Sequence, residues 1–415
     1  MAKLLILADD FTGAMDTGVQ FAKLGIKTRV GTDVASLLAS SLDAAVLVAD
    51  TETRHLTPAD AYQKVYREAR AGREAGIQAL YKKTDSALRG NVGAELSAAI
   101  AGWGAKSLPF VPAYPKIGRV TRNGIHYIGD LPVSESAFGK DPFSPVLCSD
   151  VAAWLARQSY VPVIRAGGTP LTEPYIEVYD AETDEDLNVL AESLKAGGTM
   201  NVLAGCAGMA AVLPMALGLK GGSVKAALST GRLLILCGSV HPVTKEQIRF
   251  AVDKGARHIR LTPAQKLGID GWKAPEYRTL IAQLASLSRE DAPVIVDAND
   301  EGNETIAYAA SLGMTLPDVR AAVSAAMGNL GKGLLMAGVD STLLITGGDT
   351  LMSFLDAFGN CSIQPVGELA PGIVRASFEV DGETHDMITK SGGFGEKHLL
   401  WQLAWQMRKE KGEIS

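Results

Sequence analysis

The chain has 415 residues, enough for two domains with separate cores, and its 47% hydrophobic and 21% charged residues are the balance of a globular protein in water. A net charge of −6 and the absence of a dense Lys/Arg block exclude a nucleic-acid surface. No apolar run reaches the roughly 18–20 residues of a membrane span.

The chain opens on Leu4-Leu5-Ile6-Leu7-Ala8-Asp9-Asp10-Phe11-Thr12-Gly13-Ala14. This predicts a buried strand that stops at two adjacent carboxylates, then a turn, then a helix with Met15, Val19 and Ala22 on its apolar side. The run is too short and too acidic for a secretory leader, so a cytoplasmic protein is expected. Ligands of open parallel sheets sit just outside the carboxyl ends of the strands. Two acids there can bind a polyhydroxylated ligand, and one can take a proton from a hydroxyl. Helix capping by Asp10 or Thr12 explains one acid, not two in a row.

Further along, Ala44–Ala49 and Ile77–Lys82 read as strands, and Ala59–Ala75 and Gly93–Ala101 as helices. Strands alternating with helices predict an α/β domain with a largely parallel sheet. Leu108–Pro145 holds six prolines (Pro109, Pro112, Pro115, Pro132, Pro142 and Pro145) and few helical periods, so it reads as a long ordered loop. The Gly-rich stretch Leu217–Gly231 marks a domain boundary, giving domains over 1–220 and 230–415. Beyond it, Leu233–Cys237, Val294–Asp297 and Leu343–Thr346 read as strands. Pro242 fits the first turn of a helix. Pro317–Leu335 and Leu351–Ala357 read as helices, with Gly328–Gly333 as a loop interrupting helical sequence. Ser377–Val380 and His385–Thr389 form an expected hairpin with Asp381-Gly382 in its turn, and His398–Lys409 a closing helix. The fold class is therefore α/β, with two domains that are each a largely parallel or mixed sheet flanked by helices. The scattered Cys148, Cys206, Cys237 and Cys361 read as buried small hydrophobes, and six scattered His without H-x-x-x-H spacing argue against a built-in zinc site.

A second charged cluster, Lys82-Lys83-Thr84-Asp85-Ser86 through Arg89-Gly90-Asn91, follows a predicted strand. Lys83 and Arg89 can pair with a carboxylate, and Thr84, Asp85 and Ser86 can bind hydroxyls. Charges that only satisfy one another in a solvated turn are the alternative. Arg54, after the Ala44–Ala49 strand, is a candidate carboxylate clamp or a plain surface residue. In the second half, three glycine turns follow strands: Cys237-Gly238-Ser239, Thr346-Gly347-Gly348-Asp349-Thr350 and Lys390-Ser391-Gly392-Gly393-Phe394-Gly395. Such turns let backbone N–H groups approach phosphates. None is a P-loop or a G-x-G-x-x-G fingerprint.

Taken in order over nearly the whole chain, these motifs resemble the four-carbon acid sugar kinases. Ala8 to Ala14, Lys83 to Gly90, and Pro112-Ala113-Tyr114-Pro115 with Gly118-Arg119 and Asn123-Gly124 are similar to that family's sugar-acid-binding half. The three glycine turns are similar to its nucleotide-binding half. The resemblance implies ATP-dependent phosphorylation of the C4 hydroxyl of a four-carbon sugar acid, in an active site in the interdomain cleft. D-threonate is the first expectation, with D-erythronate and 3-oxo-tetronates as alternatives. It implies that Asp9, Arg54 and Lys83, Thr84, Asp85 and Ser86 hold the sugar acid. Ser239, Gly347, Gly348, Asp349, Thr350, Gly392 and Gly393 would surround ATP. Arg54, Lys83 and Arg89 would clamp the carboxylate, and Asp10 or Asp85 would take the hydroxyl proton. Mg²⁺ is expected to arrive with ATP rather than in a protein cage. Neither nucleic acid nor membrane is an expected partner, and a homodimer is the default assembly. A nicotinamide-dependent dehydrogenase and a non-enzymatic sugar-acid sensor are the remote alternatives.

Overall fold

The computed structural model describes residues 2–40, 43–141, 144–222, 231–268, 275–359 and 362–410. The chain divides into two compact units, Met1–Val224 and Lys225–Ser415. No helix among the described residues is long and apolar enough to cross a membrane.

The first unit contains β1 (Leu4–Ala8), β2 (Thr28–Gly31), β3 (Val46–Asp50), β4 (Ala79–Lys83) and β5 (Ser107–Val111). Then come β6 (Arg119–Arg122), β7 (Ile125–Ile128), β8 (Leu131–Pro132), β9 (Val163–Arg165), β10 (Tyr175–Val178) and β11 (Val202–Gly205). Its main sheet runs β2-β3-β1-β4-β11-β5-β10-β9, with every pairing parallel. The strands read as continuous apolar runs because both faces are covered. Leu5 and Leu7 of β1 share a core with Val65 and Ala69 of helix Pro58–Glu74 and Leu96 and Ile100 of helix Val92–Trp103. Helices Phe11–Ala22 and Ala207–Ala216 pack together elsewhere in the unit. The chain leaves β1 toward β2 and β3 on one side and later passes to β4 on the other. That makes the carboxyl end of β1 a topological switch point, where doubly wound sheets bind ligands.

The proline-rich stretch is more structured than a loop. It starts with β5 and then forms the separate antiparallel sheet β6-β7-β8, with short 3₁₀ turns. Pro132 lies in the short strand β8, Pro115 opens a 3₁₀ turn and Pro109 sits within β5.

The second unit contains β12 (Leu233–Cys237), β13 (Arg257–Arg260), β14 (Val294–Asp297), β15 (Thr342–Thr346), β16 (Ile363–Ala370), β17 (Ile373–Val380) and β18 (Glu383–Lys390). Its order is β13-β14-β12-β15-β18-β17-β16, parallel as far as β18 and antiparallel beyond. β12 is this unit's switch strand. The expected hairpin is β17–β18, and both turn residues, Asp381 (φ 51°) and Gly382 (φ 83°), are left-handed.

Two expectations need correction here. Gly328–Gly333 does not interrupt a helix, since Leu316–Met336 is continuous. A Cβ on Gly328 would lie 2.4 Å from the Ser353 carbonyl carbon, so the glycine serves close packing on helix Gly348–Ala357. That helix also starts three residues before the expected Leu351. Cys206 and Cys237 are buried, but Cys148 is only half-buried. Cys361 lies outside the described residues, as do residues 223–230 of the expected boundary.

Candidate active site

In the first unit, β1, β3 and β4 end flush, with Ala8 paired to both Asp50 and Lys83. The polar residues that follow each strand therefore converge. Arg54 Nε donates to Asp9 Oδ2 at 2.7 Å, and its Nη1 and Nη2 donate to Asp10 Oδ2 and Oδ1 at 2.9 and 2.8 Å. Asp10 also caps helix Phe11–Ala22, accepting from Gly13 N and from Thr12 Oγ1. The expected helix capping is thus found at Asp10. Arg89 Nε and Nη2 grip Asp85 in a fork at 2.9 Å each, and Arg89 Nη1 reaches Asp141. The structure thus brings Asp9, Asp10, Arg54, Lys83, Thr84, Asp85, Ser86 and Arg89 to one edge. Arg54 and Arg89, however, already hold this chain's own carboxylates.

The open valences are specific. Asp10 has two donors on each oxygen. Asp85 Oδ2 accepts from Arg89 Nε and from the Ala87 and Arg89 amides, whereas Oδ1 has one close donor and Arg54 Nη2 at 3.8 Å. Asp9 Oδ1 is buried without a partner. Lys83 Nζ makes no hydrogen bond or ion pair among the described residues, and the position of a Cβ on Gly13 lies 2.8 Å from it. Thr84 Oγ1 is taken by the Gly205 carbonyl, while Ser86 is half-buried with its hydroxyl unpaired.

Burial opposes ionisation of Asp85, but the Arg89 and Arg54 charges, the Arg89 hydrogen bonds and Lys83 overcome it and hold the carboxyl well below its usual range. Burial of Asp10 is likewise outweighed by Arg54 and Lys83, with help from Thr12. At Asp50 burial dominates, Glu52, Asp10 and Asp9 add to it, and the hydrogen bond from the Glu52 amide offsets only part, so that acid is pushed well above the usual range.

Residues that sequence reading passed over support these turns. His126, fully buried, contacts the Ser86 carbonyl through Nε2 and Thr121 Oγ1 through Nδ1, both at 2.9 Å. A carbonyl only accepts, so Nε2 carries the proton and Nδ1 accepts from the threonine. Burial lowers the His126 pKa to about 4. Trp154 Nε1 donates to the Leu88 carbonyl. Glu52 (φ 43°) and Leu88 (φ 66°) adopt left-handed backbone in the two arginine-bearing turns, a strain found mainly at functional sites. Below the edge, the buried Lys82 pairs with Glu95 at 2.6 Å.

In the second unit, Cys237, Asp297, Thr346 and Lys390 end their strands level with one another. The three glycine turns meet there. A Cβ on Gly238 would sit 1.9 Å from Thr350 Oγ1, and one on Gly392 would sit 2.3 Å from Ser239 Oγ. Gly347 has φ 111°, which L side chains rarely adopt. Ser239 Oγ accepts from the His241 amide, and Gly393 faces His241. Helices Pro242–Asp253 and Gly348–Ala357 begin at this edge and present N-terminal N–H groups. Lys390 is buried beneath it and donates to the Ser391 and Gly392 carbonyls and to Thr244. Burial lowers its pKa to about 8.

Asp349 is the exception, because its carboxylate turns to Arg320 at 2.7 and 3.0 Å. Asn299 belongs to the edge and was missed. Its Nδ2 donates to the Ser239 carbonyl and to Asp297, and its Oδ1 is a buried acceptor without a partner. The polar run after the Val294–Asp297 strand is the same signal that marked Asp9 and Asp10. At Gly238 and Gly392 the missing Cβ lets the Thr350 and Ser239 side chains pack against the turns, and the backbone donors of such turns suit a nucleotide phosphate. Among the described residues no group of three or more His, Cys, Asp or Glu is placed to hold a metal ion.

The fold and the two edges define a two-part α/β protein with one half whose strand ends carry charged side chains and one whose strand ends carry glycine turns. Residues 4–213 match the sugar-binding N-terminal domain and residues 234–400 the nucleotide-binding C-terminal domain of one family. The chain is 31% identical to a D-threonate kinase of Bordetella bronchiseptica, covering 98% of each chain. It is 31% identical to a D-erythronate kinase of Heliobacterium modesticaldum over 66% of each. A solved Haemophilus influenzae protein shares the fold at TM-score 0.71 and 21% identity, covering 97% of this chain and 99% of that one. The chain belongs to the four-carbon acid sugar kinase family and is a phosphotransferase.

Proposed function

We propose that the protein transfers the γ-phosphoryl group of ATP to the C4 hydroxyl of a four-carbon sugar acid, with D-threonate as the substrate and 4-phospho-D-threonate as the product. The D-threonate kinases of Bordetella bronchiseptica and Salmonella typhimurium, at 31% and 30% identity over nearly their full lengths, support that choice of acid. One observation carries the chemistry: Asp85 is held ionised and oriented by Arg89, yet Oδ1 keeps room for another donor. A sugar hydroxyl fits that position.

In this reading Asp85 Oδ1 accepts the hydrogen of the C4 hydroxyl and receives its proton late in transfer, as ADP leaves. A carboxylate of such low basicity contributes chiefly by positioning, which suits phosphoryl transfer. Asp10, with both oxygens occupied, holds Arg54 and fixes the start of its helix. Arg54 and Arg89 keep the acids charged and aimed. Asp9 Oδ1, Ser86 Oγ and Lys83 Nζ remain to bind hydroxyls. Ser239 and the Gly347, Gly348, Thr350, Gly392 and Gly393 backbone hold the nucleotide phosphates, with Asn299 beside them. Mg²⁺ bound to ATP would neutralise phosphate charge. Asp349 would reach it only by leaving Arg320.

The test is ADP release from Mg-ATP with D-threonate, D-erythronate, their L forms, 3-oxo-tetronates and D-glycerate. Turnover strongest on D-threonate is the expected result. Preference for D-erythronate or a 3-oxo-tetronate would reassign the substrate within the family, and no turnover on any of them would reject the proposal.

A further inference from the structure

Two of the arginines at the first edge are already committed, and a third is not. Arg119 opens β6 in the proline-rich stretch, and a tight loop fixes its backbone, with Tyr114 N donating to Arg119 O at 2.7 Å and Arg119 N to Tyr114 O at 3.1 Å. Its guanidinium lies 4.6 Å from the centroid of the Phe138 ring, and the Arg89 guanidinium lies 5.0 Å from the same centroid. Arg119 and Arg89 therefore share one ring, and the charges of Asp85 and Arg89 both act on Arg119. Arg89 spends its donors on Asp85 and Asp141, whereas Arg119 Nε and Nη1 are shielded from solvent and have no acceptor. Arg119 has no ion-pair partner among the described residues.

A shielded guanidinium without a counter-ion is costly. Stacking on one aromatic ring offsets only part of that cost. The aromatic face does hold the guanidinium in one place, ready for an anion. Lys83 is the other cation without a partner, but its charge supports Asp10 and Asp85. Resting on the kinase reading above, we infer that Arg119 is the residue that binds the substrate carboxylate. It thereby selects sugar acids over neutral sugars and fixes which end of the substrate offers its hydroxyl to Asp85. Phe138 is the positioning residue that aims it.

The experiment compares kcat/KM for D-threonate with that for D-threonamide, which keeps the hydroxyls but lacks the charge. Wild-type protein is set against Arg119→Met and Arg119→Lys, with thermal melts as the folding control. A charge-assisted contact predicts about a 30-fold loss on D-threonate for Arg119→Met, and less than about a twofold change on D-threonamide and in nucleotide KM. Arg119→Lys keeps the charge without the fork and recovers part of the loss, and it carries the same comparison if the methionine variant does not fold. Equal losses on acid and amide, or an unchanged preference for the acid, would overturn the assignment while leaving the kinase reading intact. A wild-type protein that turns over no four-carbon acid would overturn both.

Discussion

The two polar edges grow from the same topology and are filled in opposite ways. Around β1, β3 and β4 the strand ends carry Asp9, Asp10, Arg54, Lys83, Asp85 and Arg89, and the geometry is held by charged side chains that grip one another. Around β12, β14, β15 and β18 the strand ends carry glycine turns and helix starts, with Lys390 buried underneath. A small acid with several hydroxyls has to be read atom by atom, which needs directional side chains. A phosphate chain has to be approached closely, which needs backbone without side chains. Ion pairs hold the first edge, whereas the absence of Cβ atoms lets the turns of the second edge pack closely.

If that contrast is right, single changes at the two edges have different signatures. The largest effect falls on Asp85→Asn, expected to lower kcat about 10³-fold with nucleotide KM unchanged, in the range of general-base losses. Steady-state kinetics would show it, and a kcat within tenfold of wild type would move the proton acceptor elsewhere. The next is a pH effect on stability. His126 is neutral in the fold with a pKa lowered to about 4, while the unfolded chain titrates near 6.5. The unfolded state binds the proton first, so stability is complete above pH 6.5 and falls as pH drops toward 4, by on the order of 3 kcal/mol. Urea melts across that range should show the loss, and His126→Asn should flatten it. An equal slope in the variant would assign the acid limb to other groups. The smallest is at the second edge. Gly347→Ala forces a side chain onto φ 111° and should weaken nucleotide binding about 10-fold through 1–3 kcal/mol of strain, leaving sugar-acid binding alone. Calorimetric titration with a nucleotide would test it. Weakened binding of both ligands would erase the division between the edges.

Much of this was legible before any coordinates. Leu4–Ala8 and Leu233–Cys237 read as strands because fully covered parallel strands are apolar throughout. The acids and glycines stood out because they follow those runs directly. Arg119 and His126 stood out less, for a physical reason. They lie in a proline-rich stretch with no such run before them, and an antiparallel sheet brings them beside Ser86 and Phe138. Gly328–Gly333 misled because glycine weakens helices in isolation, whereas packing on Ser353 here requires it. The pairing of Arg54 with Asp9 and Asp10, 45 and 44 residues away, carries no local signature.

By itself the sequence determined several of the strands, such as Leu4–Ala8 and Leu233–Cys237, that polar groups stand at their ends, and that one half carries charged and hydroxyl side chains there and the other glycine turns. These follow from local rules of apolar periodicity and turn chemistry. Tertiary structure alone decided which carboxylates are saturated, which arginine is uncommitted and which turn rests on which histidine. Those depend on strand order and register, which place residues tens of positions apart within hydrogen-bond reach.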